Sequence, residues 1–286
     1  MTGLSASLRW RKKRRVSPAR VRRRFPTLLI LVWIVICPAA GCSNGARTLL
    51  EDADARLRQG DYLGAVQNYR NITENYSKSK EAEEAYFSIG TIEALNLQDY
   101  QAALLTFRTL IRDYPNSAHA PKAQQWIAEI YDQKLHKPQT AIAEYQKLVE
   151  MTRDPDLRDE IRYRIGESYV ALNDSDQART EWEELLNDSP EGKWADRALY
   201  RIGTTYFLDR LYDQSEKTYE RLLKDYPQSG LRAEAIAGIA GCYEETGRLE
   251  EALAKYREVA ASYPNPQVIR IKIEALEEKL GKRSGS

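Results

Sequence analysis

Between Ile236 and Pro264 the apolar and small residues recur at helical spacing. Ile236, Ile239, Ala240 and Tyr243 fall on one face of a helix, and Ala252, Tyr256 and Val259, spaced four and three, form the matching face of a second. Gly247-Arg248 marks the turn between them, and Pro264 stops the second helix. The pattern predicts a helical hairpin, with the small residues Ala240 and Ala252 where the helices cross and with Tyr243 and Tyr256 filling the space toward neighbouring hairpins. A single hairpin leaves its apolar face uncovered, so it needs copies on either side.

The copies are present. The triplet of small, aromatic and aliphatic residues recurs as Ser215, Tyr219, Leu222; Ala178, Trp182, Leu185; Ala141, Tyr145, Leu148; Ala103, Phe107, Leu110; and Ala65, Tyr69, Ile72. Read backwards from Ala252, the steps are 37, 37, 37, 38 and 38 residues. Upstream of the triplets stand Ile202-Gly203, Ile165-Gly166, Ile127-Ala128 and Ile89-Gly90, where Gly90, Gly166 and Gly203 are read as close-packing positions. Six hairpins are predicted, over about 47–77, 79–115, 117–153, 156–190, 193–227 and 231–264. Turns are expected at Gly60-Asp61, Gln98-Asp99, Lys137-Pro138 and Asn173-Asp174, besides Gly247-Arg248. Pro266 suits the first position of a last helix, expected as a cap over 266–280, with a frayed tail over 281–286.

The order aliphatic, Gly or Ala, Tyr, Ala, Tyr or Phe, aliphatic, Pro resembles the tetratricopeptide repeat, over roughly Arg47 to Pro266. The resemblance implies an all-α, right-handed α-solenoid of about six hairpins over 47–265 plus the capping helix. The period exceeds the usual 34, and the extra residues fall in Tyr114-Pro115-Asn116-Ser117 and Tyr226-Pro227-Gln228-Ser229. That junction is similar to the one in BamD-like lipoproteins of outer-membrane protein assembly and in Tol–Pal-associated periplasmic repeat proteins. In the family the first helices of the hairpins line a concave surface where protein partners dock. Carried over by position, the expected contact residues are Phe87, Tyr163, Arg197, Tyr200, Thr204 and Phe207. The other reading of these rings is packing between hairpins.

Charge divides the chain. Residues 1–24 hold ten Lys and Arg and no acid, residues 25–41 hold no charge, and the rest carries 33 Lys and Arg against 42 Asp and Glu. A body that acidic argues against nucleic acid, whose phosphates require clustered cations. The basic segment, the apolar run Thr27–Ala40 and the small residues after it have the parts of a secretory signal peptide, expected over 1–41. The run is 14 residues and contains Pro38, short of the roughly 20 that span a bilayer. Ala39-Ala40-Gly41-Cys42 resembles a lipobox, which implies lipidation at Cys42; the alternative is an ordinary Ala-x-Ala-type cut with Cys42 incidental. Two or three acyl chains anchor stably where one does not. Ser43 after the cysteine implies the outer membrane, and 42–46 is expected as a short extended tether.

Little else in the sequence carries chemistry. Cys37, Cys42 and Cys242 form no Cys-x-x-Cys pair, and His119 and His136 are the only histidines, so neither a metal nor a redox site is expected. Cys242 reads as a small buried hydrophobe. No phosphate loop, His-Glu metal spacing or nucleophile turn is present, so neither catalysis, nor a cofactor, nor a small-molecule substrate is expected. The expectation is a non-enzymatic scaffold, lipid-anchored at the periplasmic face of a Gram-negative outer membrane and acting in β-barrel assembly. A Tol–Pal-linked envelope or division coordinator, a pilus or secretin pilot lipoprotein and a wall-glycan binder are the alternatives.

Overall fold

The computed structural model describes the backbone of residues 39–284 and the side chains of residues 45–282; the expected signal peptide lies almost wholly outside them. The described residues form thirteen α-helices and no strand. Twelve pair into six hairpins: α1 (Ala39–Arg58) with α2 (Tyr62–Asn75), α3 (Lys80–Leu95) with α4 (Tyr100–Asp113), and α5 (Ala120–Glu129) with α6 (Pro138–Met151). Then follow α7 (Pro155–Ala171) with α8 (Ser175–Asp188), α9 (Ala195–Leu208) with α10 (Tyr212–Asp225), and α11 (Arg232–Glu245) with α12 (Leu249–Val259). The last helix, α13 (Pro266–Ser284), packs on α12. Each helix packs chiefly on the next one along the chain, which makes the body a helical solenoid.

One small residue per hairpin sets the crossing. Ala53, Gly90, Ala128, Gly166, Gly203 and Ala240 hold equivalent places on the six first helices, and the described side chains of the alanines are fully buried. Against three of them lies the aromatic of the triplet. A Cβ at Gly90 would stand 2.5 Å from the Phe107 ring and one at Gly203 2.7 Å from Tyr219, and one at Gly166 would clash outright with the Trp182 indole. Tyr69, Phe107, Tyr145 and Trp182 are at most 1 % exposed. Each hairpin therefore owes its core to a ring filling the space that a missing or minimal side chain leaves.

The turns follow one rule. Gly60, Gln98, His136, Asn173, Arg210 and Gly247 all have φ between 49° and 80°, and each directly precedes the residue that caps the second helix. At Asp61, Asp99 and Asp174 that residue accepts the backbone N–H three positions on, at 3.0–3.1 Å. Hairpins two and three carry one residue more between the small position and the triplet than the others. It is absorbed by wider loops, Asp99 N–H to Glu93 O and Lys137 N–H to Tyr131 O, and in hairpin three by a π-helical turn over Ile130–Lys134.

Two boundaries differ from expectation. Residues 42–46 are not an extended tether; they belong to α1, because Ala46 is fully buried in the first hairpin's core and Gly45 lies against the Tyr76 ring. Helix α13 continues past Leu280 to Ser284, where the expected tail would begin, supported by Lys282 donating to Glu278 one turn earlier at 2.5 Å.

Candidate partner-binding site

The six residues expected to meet a partner sit on the first helices of hairpins two, four and five, and the structure divides them. Phe87 on α3 stacks on His119 with ring centroids 5.0 Å apart and tilts against Phe107 at 6.0 Å. Tyr163 on α7 makes the equivalent contact two hairpins later, with Trp194 at 4.9 Å and Trp182 at 6.2 Å. In both places the ring lies under the side chain that opens the following hairpin's first helix, so Phe87 and Tyr163 are half-buried packing elements. Arg197 is exposed and lies over the Trp194 ring, 5.0 Å from its centroid. Trp194, only 7 % exposed, is the residue sequence reading missed here. The signal was available, since it stands at the same repeat position as His119.

Tyr200, Thr204 and Phe207 form a different group. They lie four and three residues apart on α9, on one face. Thr204 donates to the Tyr200 carbonyl at 3.0 Å or shares its hydroxyl with the Tyr219 hydroxyl at 3.1 Å, so it is already satisfied. Tyr200 tilts against Tyr219 at 5.7 Å, and Phe207 meets Tyr212 edge-on at 5.4 Å. The remaining faces of Tyr200 and Phe207 line a cavity of about 290 Å³ between α9, α11 and α13.

Two glycines on its floor let rings pack closely against α11. Gly238 and Gly241 are both half-buried on α11; a Cβ at Gly238 would stand 2.5 Å from the Tyr219 ring and one at Gly241 3.2 Å from Phe207. Tyr256 and Tyr263 contribute further aromatic surface, and α13 closes one side with Val268, Ile269 and Lys272. Burial pushes the Tyr200 and Tyr256 phenols above the ordinary value. Tyr256 donates to Glu244 at 3.3 Å, which also accepts from Lys272 at 3.0 Å. The two floor glycines and Lys272 were not anticipated from the sequence, because the cavity exists only where α13 meets α11.

The Cys42 backbone lies in α1, 37 residues before Ser79, which caps α3. Cys242 is fully buried, and burial raises its thiol. Among the described residues no helix is long and apolar enough to cross a membrane, and no group of three His, Cys, Asp or Glu could hold a metal ion.

The tetratricopeptide repeat pattern matches residues 50–118, 163–230 and 200–265, together more than half of the chain. The chain belongs to the tetratricopeptide repeat family. A tetratricopeptide repeat protein from Parabacteroides merdae is similar in structure, with a TM-score of 0.56 at 19 % identity over 82 % of this chain and 88 % of that one. PilW, a type IV pilus biogenesis factor, gives a TM-score of 0.50 at 14 % identity, covering 81 % of this chain and 97 % of its own. The MamA protein gives 0.50 at 20 % identity, over 71 % and 96 %. At these identities the likenesses show the fold. No curated protein matches the chain by sequence. As in other tetratricopeptide repeat proteins, the fold is that of a scaffold for protein–protein interaction.

Proposed function

We propose that this tetratricopeptide repeat protein is a lipid-anchored scaffold of the outer membrane that holds a protein partner in the periplasm during β-barrel assembly. The observation that carries partner binding is the open, glycine-floored aromatic cavity beside Tyr200 and Phe207. Aromatic surface of this kind dominates binding energetics when a partner desolvates it. Support for the address comes from Ala39-Ala40-Gly41-Cys42 and Ser43, after a basic and an apolar segment. In this reading Cys42 is acylated and becomes the first residue of the mature chain. Because the helix already includes residue 42, five residues contribute only about 7 Å of reach, and the first hairpin sits against the bilayer surface. The scaffold needs neither a cofactor nor a catalytic group.

Crosslinking in intact envelopes, followed by mass spectrometry of the captured chain, tests the assignment. A β-barrel or its assembly partner is the expected product. Capture of a pilus or secretin subunit would move the protein to the pilot reading. Capture of Tol–Pal components would move it to envelope coordination.

A further inference from the structure

The cavity between α9, α11 and α13 has a charge as well as a shape. Three carboxylates, Glu234, Glu244 and Glu245, surround it, against the single ammonium of Lys272. Lys272 is already committed to Glu244 at 3.0 Å, and the Tyr256 hydroxyl adds a second donor to the same carboxylate at 3.3 Å. Among the described residues Glu245 receives only the Tyr212 hydroxyl, at 3.3 Å. Glu234 has one carboxylate oxygen, removed from solvent, with no hydrogen-bond partner among the described residues. An acceptor left unpaired in this way carries a cost that a donor relieves. Next to it lie the half-buried rings of Tyr200 and Phe207, the latter packed close against Gly241.

These features define an occupant. An apolar side chain fills the space among the Tyr200, Phe207 and Tyr256 rings. A cation beside it meets Glu234 and Glu245, neither of which pairs with a basic side chain among the described residues, and the aromatic wall favours a cation over an anion as well. A chain end carrying a free carboxylate is disfavoured by the same charges.

We propose that this cavity binds a partner segment in which an aromatic or aliphatic residue is followed directly by Lys or Arg. The inference rests on the scaffold reading of the same cavity and narrows its partner to basic–apolar sequence. Exposed Val268 on the α13 rim extends the apolar surface available to the flanking residues.

The test uses the full chain and three fluorescent ten-residue peptides, acetylated and amidated, built on Ser and Gly and carrying Phe-Lys-Leu, Phe-Glu-Leu or Ser-Lys-Ser at the centre. Fluorescence anisotropy should show the first binding at least tenfold more tightly than either of the others. Glu234→Gln should weaken that peptide several-fold, and Glu234→Lys should reverse the preference toward Phe-Glu-Leu, with folding checked by circular dichroism. Phe207→Ser should abolish binding by removing the apolar wall; Val268→Ser, on the exposed rim, should weaken it several-fold and serves if the Phe207 variant fails to fold. Equal affinity for the Lys and Glu peptides, no binding of any of them, or indifference to Glu234→Lys would overturn the proposal. In that event envelope crosslinking that still captures a partner leaves the scaffold reading standing. Failure of both removes it as well.

Discussion

The Tyr226 hydroxyl donates to the Pro190 carbonyl at 2.6 Å, tying the junction after hairpin five to the junction 36 residues earlier. Tyr114 does the same to the Ser77 carbonyl at 2.5 Å. The serine of each junction completes it: Ser229 accepts the Leu231 N–H at 3.0 Å and donates to Asp196 at 2.6 Å, while Ser117 accepts the His119 N–H. The residues that lengthen the period beyond 34 are thus a clamp between successive hairpins. Removing only the hydroxyl, in Tyr226→Phe, should cost about 0.5–1.5 kcal/mol in urea unfolding. An unchanged midpoint would mean that water replaces the clamp without loss.

Tyr219 is held between Gly203 of its own hairpin and Gly238 of the next, and a Cβ on either would stand within 2.7 Å of the ring. Gly203→Leu should therefore cost about 1–3 kcal/mol through overpacking. Trp182, fully buried with its indole N–H on the Tyr163 carbonyl at 3.1 Å, should cost roughly 3–5 kcal/mol when cut to Ala. Denaturant melts of the two variants check both values.

Arg210 adopts φ +62° in the turn of hairpin five, where the equivalent residues of hairpins one and six are Gly60 and Gly247 at +80°. A non-glycine residue there carries about 1–2 kcal/mol of local steric cost, part of which glycine's greater unfolded-state freedom offsets. Arg210→Gly should raise stability by about 0.5–1 kcal/mol, and Gly247→Ala should lower it by a similar amount. Thermal unfolding of the pair should show shifts of opposite sign.

Burial raises the carboxyl groups of both Glu129 and Asp132, on and just after α5, above their ordinary values. A carboxylate whose folded value is raised contributes stability while it is protonated in both states, below the unfolded value. That contribution is lost as pH rises through the folded value. Glu129→Gln keeps an acceptor for the Gln125 amide, which reaches Glu129 at 2.8 Å. The variant should gain stability relative to the native chain as pH rises from the ordinary carboxylate range to neutrality, and match it in acid. Melting curves across that range test the sign.

The hairpins were legible because one constraint repeats six times: a small residue, a ring opposite it and a stop. Gly90 with Phe107 and Gly166 with Trp182 could be paired by spacing alone. The fifth turn was not legible, since Arg210 has no preference for the conformation that the fold imposes on it. The π-helical turn at Ile130–Lys134 left only a one-residue lengthening of the period, which does not say where the residue is absorbed. The tether was misread because Gly45 and Ala46 look like linker residues until Tyr76 and the first core close on them. Arg179 shows a further limit. At the place where Val66, Leu104 and Ile142 are buried, it is itself 7 % exposed, paired with Asp209 at 2.6 Å and lying over Tyr206 at 4.5 Å. A charge at a buried position is intelligible only when its partners on the next hairpin are known. For the candidate site, the positions carried over from the repeat family pointed to Tyr200 and Phe207, but they pointed as strongly to Tyr163 and also included Phe87, although the following hairpin half covers both.

The most direct test is partner capture by crosslinking in envelope membranes, comparing the native chain with the double variant Tyr200→Ser, Phe207→Ser, both verified as folded by circular dichroism. The account predicts a crosslinked polypeptide with the native chain and its loss with the variant. Capture at an undiminished level by the variant would contradict it.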